Sequence, residues 1–263
     1  MTIELKYNKD SFYEFSIELL EHWQDISNKV FVLRSINRPR DVKTFFSENF
    51  KYFGKPYPYG ENAEFSRGDQ GTGSIWSEVR NDDSIPNAYR HSTNAQPLHT
   101  DGSYIPGFPS STLMLCVNNK AKGGETIFLD SIKLYEILES DDPTLLKHLL
   151  NKNFFHERSG YIKKNKIIQI IHNQIHLNWN WFCLSKKHTQ EQKVICDQFF
   201  NFLKYNKKVI SALSPIFLNP GDAVFWRDNL CLHGRNSFTA TNTSDRFLWK
   251  AAIDIGDINK LDK

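Results

Sequence analysis

From residue 111 onward the chain breaks into short apolar runs separated by turn residues. They read "STLMLCVNN" (111–119), "GETIFLDS" (124–131), "NFFHERSGYI" (153–162), "KIIQIIHN" (166–173), "QIHLNWNWF" (174–182), "SPIFLNP" (214–220), "DAVFWRD" (222–228) and "RFLWKAAIDI" (246–255). Runs this short, rich in β-branched and aromatic residues, have the signature of strands, and "NPGD" between two of them is a tight turn. Helical spacing is confined to 8–24, 37–50, 131–139, 143–151 and 189–206, with "KVFVLRSI" (29–36) as a strand between the first two. Asp130 or Ser131 is placed to cap the helix at 131. Many short strands, with helices packed at the start and inserted in the middle, predict a mainly β fold with flanking helices around a jelly-roll core.

No Pro/Gly/Ser-rich linker divides the 263 residues, so the expectation is a single domain over 1–263. Within it we expect a helical buttress at about 8–50, a jelly-roll core at about 96–255 and a helical insert at about 131–210. Residues 54–98 lose hydrophobic periodicity and are dominated by Gly, Asn, Asp, Ser, Pro and Gln, which reads as a long lid loop. The net charge of +3 is spread along the chain, which argues against nucleic acid or an anionic membrane as partner. Lysines in "YIKKNKIIQ" read as the solvated side of a strand or hairpin. Cys116, Cys183, Cys196 and Cys231 show no paired spacing and are expected as free thiols. Neither a signal-peptide pattern nor an apolar run long enough to span a bilayer is present, so the expected location is the cytoplasm. Oligomeric state is unreadable from the sequence.

"LHTDGSY" (98–104) places His99 and Asp101 two residues apart. In an extended strand such residues project to one face and can aim an imidazole nitrogen and a carboxylate oxygen at one point. Alone, the pattern reads better as a polar strand end. "LCLHGRNSF" offers His233 as a third ligand, and two histidines with one carboxylate make the facial set of non-haem iron(II) oxygenases. His233 follows Asp101 by 132 residues, Arg246 follows His233 by 13, and "GGETIFLDS" and "NPGDAVFWRD" stand between in order.

As an ordered set, these motifs resemble the Fe(II)/2-oxoglutarate-dependent dioxygenases, in particular the taurine dioxygenase and clavaminate synthase-like group, over about residues 96–255. The resemblance implies a double-stranded β-helix of cupin type, Fe(II) held by His99, Asp101 and His233, and 2-oxoglutarate as co-substrate. It implies that dioxygen and a small molecule are the reaction partners, with C–H oxidation coupled to succinate formation. Arg246 matches the family's arginine for the far carboxylate of 2-oxoglutarate, and arginine suits that task because its fork meets a carboxylate bidentately. Thr126 matches its hydroxyl partner, with a β-branched strand filler as the next reading. Arg235 falls where the family often carries a basic residue. Lys250 falls where taurine dioxygenase has a second arginine toward substrate, and lysine keeps the charge without the fork. Halogenases of this kind lack the carboxylate, so Asp101 points to hydroxylation, with desaturation, cyclisation or epimerisation left open.

By position only, Trp76, Arg90, Asn94, Gln96, Ser103 and Tyr104 are candidates for the substrate wall. Arg90 and Lys250 suggest an acidic or amino-acid-like substrate. His172 and His176 read as hairpin residues about a turn at Asn173, and His22, His148, His156 and His188 as residues on helices or their edges. A metal-free binding protein and a zinc hydrolase are the competing readings. Neither accounts for Arg246 in its place.

Overall fold

The computed structural model describes residues 2–58, 75–82, 84 and 89–255. The N-terminal part runs β1 (Thr2–Asn8), α1 (Phe12–Gln24), β2 (Val30–Asn37) and α2 (Val42–Asn49), then β3 (Gly54–Tyr57), β4 (Ser77–Arg80) and β5 (Gln96–His99). Next come β6 (Ser111–Asn119), β7 (Lys122–Gly123) and β8 (Thr126–Asp130), followed by α3 (Ser131–Asp141) and α4 (Pro143–Asn151). Two hairpins follow, β9 (Phe154–Arg158) with β10 (Tyr161–Asn165), and β11 (Ile168–Ile171) with β12 (Gln174–Leu177). The chain then forms α5 (Gln190–Tyr205) and α6 (Lys207–Ser211). It closes with β13 (Ser214–Ile216), β14 (Ala223–Arg227), β15 (Cys231–Arg235), β16 (Phe238–Thr239) and β17 (Arg246–Ile255).

A larger sheet is ordered β1-β2-β14-β6-β17, with β3 and β4 both pairing to β17. The smaller sheet is ordered β13-β8-β15-β5. Only β1 and β2 pair in parallel among these; the other pairings are antiparallel. Side-chain alternation then sorts the residues into layers. Leu113, Leu115, Ala223, Phe225, Ala251 and Ile253 leave the outer face of the large sheet and pack on Phe12, Phe15, Leu19 and Phe46 of α1 and α2. Leu98, Leu129 and Leu232 leave the outer face of the small sheet and pack on α3, α4 and α5 through Leu134, Leu145, Phe199 and Leu203. The inner faces meet through Met114, Phe128, Val224, Trp226, Cys231 and Leu248. Two curled sheets, each covered outside by helices, make a double-stranded β-helix, as the motif order implies.

Several segments differ from the sequence expectation. Thr2–Asn8 extends the large sheet although nothing marked it as a strand. Part of the expected lid loop is β3, β4 and β5; these runs of four residues are too short to show periodicity. Residues 59–74, 83 and 85–88 of that range lie outside the described residues. Trp76 is a core residue: it is fully buried, stacks on Phe50 at 5.4 Å and donates its indole N–H to Ser47 Oγ at 2.9 Å. It therefore stabilises the outer layer and does not reach the seam between the sheets. His156 lies on β9 rather than at a helix edge and is fully buried. His172 and Asn173 form the expected turn, with φ of 48° and 61°, the left-handed values that a two-residue hairpin needs.

Asp130 links strand, helix and N-terminal segment. It caps α3 by accepting the Ile132 and Lys133 N–H groups, and its Oδ1 lies 2.7 Å from Nζ of Lys29, whose side chain is 2% exposed. Asp130→Ala should cost about 3–5 kcal/mol, because it strands a buried ammonium and removes a cap. Glu136→Ala, which breaks the exposed Lys133–Glu136 pair, should change stability by less than about 0.5 kcal/mol. Urea unfolding of the two variants separates the effects.

Candidate metal and co-substrate site

His99 ends β5 on its inner face, directly opposite His233 on β15, and the two imidazole rings are 4.2 Å apart. His99 Nδ1 donates to the Pro97 carbonyl at 2.8 Å, which leaves Nε2 facing the seam. Asp101 lies beyond the strand, in a turn that continues through Gly102 at φ 54°. A Cβ at Gly102 would fall 2.1 Å from the Phe108 ring, so only glycine fits the turn there. The Asp101 N–H donates to Asp228 Oδ2 at 2.7 Å, and this bond across the sheet fixes where the carboxylate points. Its Oδ1 is 3.8 Å from His99 Nε2 and its Oδ2 is 3.7 Å from His233 Nε2. The strand argument thus gave the right convergence for a residue that has already left the strand.

Asp228 is the partner that the motif analysis missed. Its Oδ1 accepts the Trp226 indole N–H at 3.1 Å and lies 3.2 Å from His233 Nδ1 without the geometry of a hydrogen bond, so this buried carboxyl fixes the Asp101 turn and stands beside His233. It stands five residues before His233 in "WRDNLCLH", a spacing that could have suggested it. Burial, followed by the charge of Asp101, pushes the Asp228 carboxyl well above its ordinary range. Burial also acts to raise Asp101, but the Lys250 ammonium outweighs it and holds Asp101 well below the usual carboxylate range. Burial pushes His99 down to about 3 and His233 down to about 4, so both present neutral nitrogens. Two neutral imidazoles and an ionised carboxylate, with donor atoms within 4.8 Å of one another, suit a divalent iron.

Next to this cluster lie two buried guanidiniums. Arg246 begins β17; its Nε donates to the Gly124 carbonyl at 3.1 Å and its Nη1 has no partner among the described residues. Arg235 lies two residues past His233 on the same face. Its Nη2 donates to the carbonyls of Tyr89, Ser92 and Asn94 at 3.0, 2.7 and 2.6 Å, leaving Nε and Nη1 without partners among the described residues. Both guanidiniums lie over the Phe238 ring, at 5.0 Å for Arg235 and 5.3 Å for Arg246. Burial pushes Arg246 down to about 10, and burial with the neighbouring Arg246 pushes Arg235 down to about 9. Buried cations with unused donors fit an anion, and a carboxylate matches their planar fork. Thr126 is the cross-strand partner of Arg235 and lines the same cavity.

Of the residues expected along the substrate wall, Arg90, Gln96, Tyr104 and Lys250 line this cavity. Lys250 points at the triad itself, with Nζ 2.6 Å from Asp101 Oδ1. Asn94 does not line it: its side chain is exposed and only its carbonyl takes part, as an acceptor for Arg235. Ser103 is buried away from the cavity, where its carbonyl accepts from Asn178. Arg158, Asn180, Trp181 and Phe182 also line the cavity. They come from β9 and the segment after β12, and no motif in the sequence pointed to them.

This fold and this donor set define an iron- and 2-oxoglutarate-dependent oxygenase. The family model for taurine catabolism dioxygenase TauD, TfdA family, matches residues 27–252, and the chain belongs to that family. Solved structures share its fold. Asparagine oxygenase, in complex with Fe(II), hydroxyasparagine and succinate, superposes with a TM-score of 0.66 at 14% identity, over 91% of this chain and 79% of that one. The non-haem iron oxygenase OrfP, with Fe and α-ketoglutaric acid, superposes at 0.65 and 12% identity, covering 95% of this chain and 94% of that one. PvcB of Pseudomonas aeruginosa gives 0.65 and 16% identity over 96% of this chain and 86% of its own. No curated protein matches the chain in sequence.

The buried imidazoles set an acid limit on stability. Burial pushes His156 down to about 3, as it lowers His99 and His233. These folded-state values lie below the ordinary histidine value, so the unfolded chain binds more protons between about pH 6.5 and pH 3. Their contribution is complete above about pH 6.5 and is lost as pH falls through that window, each group adding a slope of about 1.4 kcal/mol per pH unit. His156→Gln, away from the triad, should remove one such increment near pH 5. Urea unfolding of metal-free protein at several pH values measures it, and an unchanged slope would contradict the assignment.

Proposed function

We propose that His99, Asp101 and His233 hold Fe(II), and that Arg246, with Arg235 and Thr126, receives the far carboxylate of 2-oxoglutarate. When bound, the iron supplies the coupling of dioxygen and 2-oxoglutarate decarboxylation to oxidation of a substrate C–H bond. The protein's part is positional. Asp228 holds the Asp101 turn and stands beside His233. The Pro97 carbonyl sets the His99 tautomer, and the two inner faces keep the centre away from bulk water. The presence of Asp101 favours hydroxylation over halogenation.

The substrate we assign is a small acidic metabolite of amino-acid type. One observation carries this: Arg90 and Arg158 line the cavity beside the two co-substrate arginines, and Asp101, already paired with Lys250, is the sole acidic side chain among its described lining residues. Related folds bound to hydroxyasparagine and to hydroxyarginine support an amino-acid-like substrate. A cationic side chain would meet like charge here, whereas an acidic one would meet partners. The buried thiols of Cys116, Cys196 and Cys231 suit a reducing compartment, and we place the enzyme in the cytoplasm. Among the described residues no helix is long and apolar enough to cross a membrane.

The test is succinate release by Fe(II)-loaded enzyme over a panel of amino acids and their derivatives. Acidic and N-acylated acidic members should stimulate turnover above the uncoupled background, and arginine and lysine should not. Stimulation by the basic members alone would overturn the substrate assignment.

A further inference from the structure

Lys250 was expected to face substrate. It is 9% exposed, on the inner face of β17 with Met114 of β6 as its cross-strand partner, and its Nζ is 2.6 Å from Asp101 Oδ1. Among the described residues the other oxygen, Oδ2, has a long contact with the Thr112 hydroxyl at 3.4 Å and lies 3.7 Å from His233 Nε2. Each oxygen faces one histidine at nearly the same distance, so what makes the two unequal is the cation: Oδ1 is held by Lys250 and Oδ2 is not.

We propose that Lys250 is a positioning residue that holds Asp101 Oδ1 and leaves Oδ2 alone for the metal, making Asp101 a one-oxygen ligand. The inference rests on the iron reading of the triad. The partners usually found behind metal ligands raise ligand basicity and strengthen binding. An ammonium does the reverse: it draws charge from the carboxylate and stands beside an incoming dication. Its benefit is geometric. A carboxylate free to offer both oxygens would close over a coordination position that 2-oxoglutarate needs for its two-point attachment. Lys250 thus trades metal affinity for open positions. Lysine suits the task because it is a compact point charge on a flexible stem, whereas an arginine fork would engage both oxygens.

The experiment uses Mn(II), followed as free-ion loss in electron paramagnetic resonance, and then 2-oxoglutarate titrated calorimetrically into the Mn(II)-loaded protein. Lys250→Met and Lys250→Gln should bind Mn(II) tighter, on the order of tenfold, and 2-oxoglutarate several-fold more weakly. Loss of packing alone would weaken both, so the opposite directions are diagnostic. Lys250→Gln keeps a polar group of similar length should the Met variant fail to fold, and thermal melts check both. Unchanged or weaker Mn(II) binding in the folded variants would overturn the proposal, and an altered substrate KM with metal affinity unchanged would make Lys250 a substrate contact instead. If the unaltered protein bound no Mn(II), the iron reading itself would fail, which is a separate outcome.

Discussion

The carboxylate of Asp101 is buried, and a buried anion must be balanced by groups brought to it from elsewhere in the chain. Lys250 comes to it from 149 positions away, His233 from β15, and the Asp228 carboxyl meets its backbone N–H. Each of these residues sits on the inner face of one of two sheets or at a strand end beside it. The two sheets can close over so polar a seam because their outer faces are almost wholly apolar and helix-covered. Hydrophobic burial on the outside therefore holds a charge cluster on the inside that could not assemble by itself.

The same architecture separates two electrostatic tasks along one seam. At one end an ionised carboxylate and neutral imidazoles converge in the proposed site for a dication. At the other, Arg235 and Arg246 keep unused donors beside an aromatic ring. Strand register ties the ends together: His233 and Arg235 are two residues apart on β15 and face Phe128 and Thr126 of β8. A chelating dicarboxylate could span this distance along one strand, with no domain movement required to bring its partners together.

What was legible in the sequence follows from the range of each interaction. Strands β6, β8, β14 and β17 were readable because apolar periodicity is local, and the convergence of His99, Asp101 and His233 because ordered motifs survive long separations. The Asp130 cap was readable for the same local reason. Contacts across the seam were not: nothing in "FLWKAAI" states that Lys250 reaches Asp101, and nothing in "FWRDN" states that Asp228 holds a turn 127 residues earlier. Trp76 was misplaced because it lies in a polar, aperiodic stretch, where a single large aromatic residue gives no sign of the layer it joins. Arg158 was missed because a β-hairpin arginine normally faces solvent, and only the path of β9 turns this one toward the cavity.

The measurement that bears most directly on the account is an anaerobic titration of metal-free protein with Fe(II) and then 2-oxoglutarate, read as the weak visible charge-transfer band of the chelated pair. The account predicts a saturable band that is absent in His99→Ala and needs much more 2-oxoglutarate in Arg246→Ala, with iron still bound in the second variant. Iron that fails to bind, or binds without any band on adding 2-oxoglutarate, would contradict it.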